Sequence, residues 1–196
     1  MRAFLTSLCI IFALTATGLC LNCEHCLNIH GGSCSGASVK CKEDEAVCVS
    51  RRENTTIEND SRLSMFKGCM KYDPNICDTI LHGGNDRFQN MMYNKCCKED
   101  NCNRESFTVP PLNLTENGLE CPTCYTNSSY ECSPNGIMKC TGKEEQCYYF
   151  SATIRRPGLP FGKHASQGCV STGCCEFCLP LLKGMTYTEI KNFTCM

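Results

Sequence analysis

The sequence predicts a small all-β, disulfide-rich fold built as two tandem copies of one domain. Three observations carry that prediction. The chain of 196 residues holds 22 cysteines and no tryptophan, a share at which disulfides, rather than a large apolar core, carry the fold. The cysteines fall into two groups of ten whose spacings repeat. The segments between them alternate β-branched and aromatic residues with polar tips, and no convincing helical periodicity is present.

The elements follow in chain order. Residues 1–20 read as a signal peptide, with Arg2 before the apolar run "AFLTSLCIIFALTA", too short to be read as a membrane span. Cleavage after Gly18 or after Cys20 fits the small-residue rule. Parity favours the second, because removing Cys9 and Cys20 leaves 20 cysteines and no odd thiol in an oxidising compartment. Leu21 is then the first residue of a secreted, extracellular chain, and the sequence after it shows no lipid-anchor signal.

Domain 1, residues 21–103, reads C-x2-C-x7-C-x6-C-x6-C-x20-C-x7-C-x18-CC-x4-CN from Cys23 to Asn103. "VCVSRRE" and "RLSMFKGCM" bracket a polar tip, as in a hairpin. Residues 104–120 carry Pro110-Pro111 and no cysteine, and read as a linker stiffened locally by its prolines. Domain 2, residues 121–196, repeats the ladder as C-x2-C-x7-C-x7-C-x6-C-x21-C up to Cys169. It then departs into "CVSTGCCEFCLPLL" and a lone Cys195, with no second CC-x4-CN; "YTEIKNF" near the end is ambiguous between helix and strand.

Leu21-x-Cys23-x-x-Cys26, the ladder after it and the terminal CC-x4-CN resemble the three-finger fold of the Ly6, urokinase-receptor and snake-toxin superfamily. The atypical second ending, with "GCVS", the Cys-Leu-Pro-Leu-Leu stretch and the phrase "NGLECPTCY", resembles the gamma-type phospholipase A2 inhibitors, secreted proteins of two such domains. The resemblance implies the pairs Cys23–Cys48, Cys26–Cys34, Cys41–Cys69, Cys77–Cys96 and Cys97–Cys102 in domain 1. For domain 2 it implies Cys121–Cys147, Cys124–Cys132, Cys140–Cys169 and Cys178–Cys195, leaving Cys174 and Cys175 open. It also implies that the Asn103 amide ties the end of domain 1 to the backbone of the knot.

The segment "CCKEDNCN" (Cys96–Asn103) superficially resembles the CCxxHDxC of the secreted phospholipases A2 themselves. Asp100 stands where their histidine base would be and Asn101 where their calcium-holding aspartate would be, which removes both halves of that mechanism. His25, His30, His82 and His164 form no paired spacing, and the C-x-x-C pairs of an exported chain read as disulfides before zinc. The reading is a protein with no catalysis, no metal and no cofactor of its own. Net charge is −1, and −2 without Arg2, too small to argue for nucleic acid or an anionic membrane as partner.

What remains is binding. Five sequons, at Asn54, Asn59, Asn113, Asn127 and Asn192, read as glycosylation sites of a secreted chain. Two of them lie in "RRENTTIENDSR", where glycans would shield the second finger of domain 1. The binding surface is therefore expected elsewhere. One candidate is the third finger of domain 1, with Phe88, Met91, Met92 and Tyr93 beyond Gly83-Gly84. The other is the second finger of domain 2, with Arg155, Arg156, Leu159 and Phe161. The resemblance implies stoichiometric capture of a secreted phospholipase A2, as a homo- or hetero-oligomer. A soluble Ly6/urokinase-receptor-type ligand or receptor modulator, binding a protease, a nicotinic receptor or another extracellular partner, is the alternative with the same fold.

Overall fold

The computed structural model describes residues 20–196. The expected leader at 1–20 lies outside the described residues except for Cys20, which has no partner among them. In domain 1, β1 (Asn22–Asn28) and β2 (Ala37–Lys40) form the first finger. The second is β3 (Val47–Ile57) and β4 (Asp60–Met70), and the third is β5 (Ile80–Gly84) and β6 (Phe88–Cys97). Finger 2 is paired over eleven rungs, from Val47↔Met70 to Ile57↔Asp60. Its two-residue turn, Glu58-Asn59, places Glu58 in the left-handed region at φ 55°. A 3-10 turn at Cys102–Arg104 closes the domain.

Domain 2 begins with β7 (Glu116–Thr126), which starts inside the stretch read as linker, and β8 (Gly136–Thr141). It continues with β9 (Gln146–Arg155) and β10 (Gly162–Val170), then a helix, α1 (Cys174–Leu181), and β11 (Thr186–Cys195). The ambiguous "YTEIKNF" is therefore strand, paired to β9 with a register shift between Thr188 and Asn192. The helix is a finding that periodicity did not signal. At eight residues it is shorter than an isolated helix tolerates in water, and Cys174 and Cys178, four apart and so on one helical face, are bridged across its first turn.

The strands make one continuous sheet in the order β11-β9-β10-β5-β6-β3-β4-β1-β2, with β7 and β8 branching from β10. The two domains join where β5 meets β10 antiparallel, Gly84 opposite Cys169 and Gly83 opposite Val170. This is the work of "HGGN". A side chain on Gly84 would meet Phe88 O at 2.1 Å, one on Gly83 would meet Val170 Cγ2 at 2.7 Å, and one on Gly168 would meet Gly84 O at 2.2 Å. Only glycine lets backbones approach so closely.

Ten disulfides staple the described residues. The structure pairs Cys23–Cys48, Cys26–Cys34, Cys41–Cys69, Cys77–Cys96, Cys97–Cys102, Cys121–Cys147, Cys124–Cys132 and Cys140–Cys169. The expected Cys178–Cys195 bridge is replaced by Cys174–Cys178 and Cys175–Cys195. The reason is α1: it turns Cys178 back onto Cys174 and leaves Cys175, on a different face, directed to the end of β11. Cys23, Cys41 and Cys69, and likewise Cys121, Cys140 and Cys169, lie close together. All are disulfide sulfurs, which are not thiolate ligands.

Candidate functional site

Two surfaces were candidates for a partner, and the structure separates them. Phe88, Met92 and Tyr93 are buried, and Met91 is half-buried. Phe88 and Met92 belong to a core shared with Tyr148, Phe150, Ala152, Ile154, Val170 and Leu182 of domain 2. Phe88 packs 6.0 Å from both Tyr125 and Phe150, ring to ring. Tyr93 packs at 5.9 Å on Phe107 of the interdomain stretch. Third-finger residues that look unpartnered within one domain are thus the cement between two, and the expectation of an exposed binding finger there is corrected.

Arg156 is corrected as well. It is 3% exposed, pairs with Asp60 Oδ2 at 2.7 Å and donates to Asp60 O at 2.9 Å. Arg62 Nη1 returns the contact by donating to Pro157 O at 2.6 Å, so the second fingers of the two domains are tied tip to tip. Leu159 and Phe161, at 46% and 47% exposure, remain open to a partner. Arg155 is exposed and lies over the Phe161 ring at 4.8 Å.

Sequence reasoning missed the polar groups that lock the domains. Val47, Val49, Arg51, Glu53 and Thr55 alternate along β3 and all face inward. The period-2 phase set by the valines was the available signal, and charge at positions 51 and 53 concealed it. Arg51 Nε donates to Asn94 Oδ1 and its Nη1 to Leu181 O, both at 2.6 Å. Burial lowers the Arg51 guanidinium to about 10, with Glu53 opposing the shift. The Glu53 carboxylate accepts from Ser64 Oγ at 2.8 Å, Lys183 N at 2.9 Å and Gly184 N at 2.8 Å. The segment after α1 is held by charge-assisted hydrogen bonds to its backbone.

Two further clamps cross the junction. Asn85, 1% exposed, donates from Nδ2 to Cys124 O, Ser166 Oγ and Gln167 O at 2.9–3.0 Å. Its Oδ1 meanwhile accepts from Arg87 N and Phe88 N. His82 Nδ1 lies 2.8 Å from Glu144 Oε1. Burial works to raise the Glu144 pKa, but the hydrogen bonds from His82 and Thr141 N outweigh it and hold the group below its ordinary value. Within domain 1, Asn103 accepts from Glu24 N at 2.9 Å and donates to Glu24 O at 2.9 Å and Val49 O at 3.2 Å. Asp100, at the would-be base position, accepts from Asn22 N at 2.8 Å. "CCKEDNCN" is scaffold.

The sequon residues Asn59, Asn113, Asn127 and Asn192 are exposed, and Asn54 is half-buried with Oδ1 accepting from Ser61 Oγ. No helix among the described residues is long and apolar enough to cross a membrane.

Fold and surface together define a two-module, disulfide-stapled β protein with fused domains and an exposed finger tip. A model of the u-PAR/Ly-6 domain matches residues 20–105 and 117–193, and the chain belongs to this family. Curated relatives matching most of the chain include gamma subunits of phospholipase A2 inhibitors. A phospholipase A2 inhibitor gamma chain of Gloydius brevicaudus siniticus is 30% identical over 198 residues, covering 98% of this chain and 92% of its own. Its counterpart in Elaphe climacophora is 29% identical over 177 residues, covering 88% and 84%. Among solved structures, mouse TEX101 aligns over 88% of this chain and 95% of its own at 16% identity and a TM-score of 0.35, a likeness too loose to carry an argument.

Proposed function

We propose that the protein is an extracellular, glycosylated inhibitor of secreted phospholipases A2 that acts by stoichiometric binding and catalyses nothing itself. The observation that carries this reading is the end-to-end similarity to gamma-type phospholipase A2 inhibitors, across both domains and at 30% identity. Residues 1–20 direct export, Leu21 opens the mature chain, and glycans occupy sequons among Asn54, Asn59, Asn113, Asn127 and Asn192. The interdomain clamps support the same reading, because a binding protein that is rigid before it meets its target loses less conformational entropy on association. Leu159 and Phe161, with Arg155 beside them, supply apolar contact at the open finger tip, and aromatic anchors dominate interfaces of this kind.

The test is inhibition of a panel of secreted phospholipases A2 by the purified glycosylated protein, with binding read in parallel by a surface assay. Saturable binding with matching loss of activity is expected, and Leu159→Ala with Phe161→Ala should weaken both together. Neither binding nor inhibition across the panel would remove the reading and leave the receptor-modulator alternative.

A further inference from the structure

A cleft of about 310 Å³ lies between the two second-finger tips, lined among others by Ile57, Ile154, Leu159 and Pro160 on its apolar side and by Arg156 and His164 on its polar side. That volume is at the lower end of small-molecule sites, ~300–1,000 Å³. We propose that this cleft binds a single-chain amphiphile with a monoanionic carboxylate head, of the fatty-acid type, with the chain along Ile57, Ile154 and Leu159 and the head toward Arg156 and His164.

The charges fix the head. Arg156 lies beneath the cleft with Nε buried and without a hydrogen-bond partner. The two acids at the rim are already engaged, Asp60 by Arg62 and Arg156 and Glu58 by Arg87. Glu58, Asp60 and Arg156 line the cleft, and with Arg62 and Arg87 paired to the two acids from outside it three guanidiniums stand against two carboxylates, a local balance of one positive charge that suits a monoanion rather than a dianion or a cation. His164 Nδ1 meets Tyr125 Oη at 3.1 Å. Burial foremost, with the Arg156 charge adding, pushes the imidazole pKa down, and burial raises the Tyr125 hydroxyl to about 12. A protonated hydroxyl facing a neutral ring donates to Nδ1 and leaves Nε2–H as a donor.

The rim fixes the size of the occupant. Asn127 lines the cleft and Asn59 sits in the adjoining turn. Glycans on both would narrow the mouth of the cleft and leave an opening for a small molecule. Leu159 is shared with the proposed phospholipase contact, but the two readings concern different occupants and are tested separately, because the amphiphile titration needs no phospholipase.

The experiment is calorimetric titration of the full glycosylated protein with dodecanoate, dodecan-1-ol and dodecyltrimethylammonium, each below its micelle concentration. Dodecanoate should saturate at one per chain, with the alcohol at least about tenfold weaker and the cation without measurable binding. Absence of dodecanoate binding, or equal binding of all three, overturns the proposal. Arg156→Gln removes the charge but also loosens the tip-to-tip contact. Leu159→Glu therefore carries the decisive arm: its side chain is exposed, so melting should not change, yet dodecanoate affinity should fall at least about tenfold. Unchanged affinity in a folded Leu159→Glu protein also overturns it.

Discussion

Replacing Glu53 by glutamine tests whether a buried carboxylate holds the C-terminal segment of domain 2 onto domain 1. The carboxylate is 1% exposed and accepts from three donors, Ser64 Oγ, Lys183 N and Gly184 N. The amide keeps nearly the same shape and one acceptor oxygen, so no cavity opens. Each bond falls from the charge-assisted range, about 1.5–3 kcal/mol, to the neutral range, about 0.5–1.5 kcal/mol. Summed over three bonds the loss is about 3 kcal/mol, before counting the buried Arg51 charge that then lacks an opposing neighbour. For a protein of this size, that corresponds to a fall of about 6–12 °C in melting temperature. The assay is thermal and urea unfolding with the disulfides intact, together with hydrogen exchange at the Lys183 and Gly184 amides, which should accelerate selectively. A melting temperature within about 2 °C of the native protein, with unchanged exchange at Gly184, would refute the reasoning.

Three other perturbations probe the junction and the buried carboxylates around it. Gly168→Ala places a methyl 2.2 Å from Gly84 O, so the β5–β10 pairing should open and proteolysis of residues 105–115 should quicken; a native cleavage rate would show that the pairing does not hold the domains. Asn85→Asp turns the donors facing Cys124 O and Gln167 O into acceptors, an uncompensated buried charge costing about 3–5 kcal/mol, read as a lower urea midpoint with the fingers' circular dichroism retained. Acid should loosen the protein in a defined direction. Glu24, through its Lys67 hydrogen bond, Asp60, through Arg62, and Glu144, despite its burial, are all held below ordinary carboxylate values. The unfolded chain therefore binds more protons, and stability present above the ordinary values of 3.8 and 4.5 is lost as pH falls through the depressed ones. Unfolding midpoints should be flat from pH 7 to about 5 and drop below about 4.5, and a flat profile down to pH 3 would contradict the assignment.

The parts legible in the sequence were those set by local spacing. The cysteine ladder carried the repeat, and alternation around a polar tip carried the second fingers. The resemblance of "CCKEDNCN" to a family ending placed Asn103 where it bonds Glu24 and Val49. What was not legible depended on contacts across the repeat. Phe88 and Met92 read as free apolar surface because their partners, Phe150 and Leu182, lie more than sixty residues away. Arg156 read as an exposed cation because Asp60 belongs to the other domain. The Cys174–Cys178 pairing depends on a helix too short to leave a periodic trace.

The second domain's departure from the ladder explains why the two domains fuse. In domain 1, β4 and β3 are followed in the sheet by β6 and then β5. In domain 2, β10, β9 and β11 take the places of β4, β3 and β6, but α1 stands where a counterpart of β5 would be. The apolar side of β9, with Phe150, Ala152 and Ile154, would then lack part of its cover, and β10, which β7 pairs only over Ala165–Gln167, would leave its end at Cys169–Val170 unpaired on that side. Domain 1 supplies both remedies from one hairpin: Gly83 and Gly84 of β5 pair with the end of β10, while Leu81, Phe88 and Met92 close over the shared core. A domain 2 expressed alone would expose that core and that edge together, so it should aggregate or fail to fold, whereas domain 1, with its three fingers and five bridges complete, should fold by itself. Recovery of a soluble, monomeric domain 2 would show that the junction is an accessory contact rather than part of the second domain's own fold.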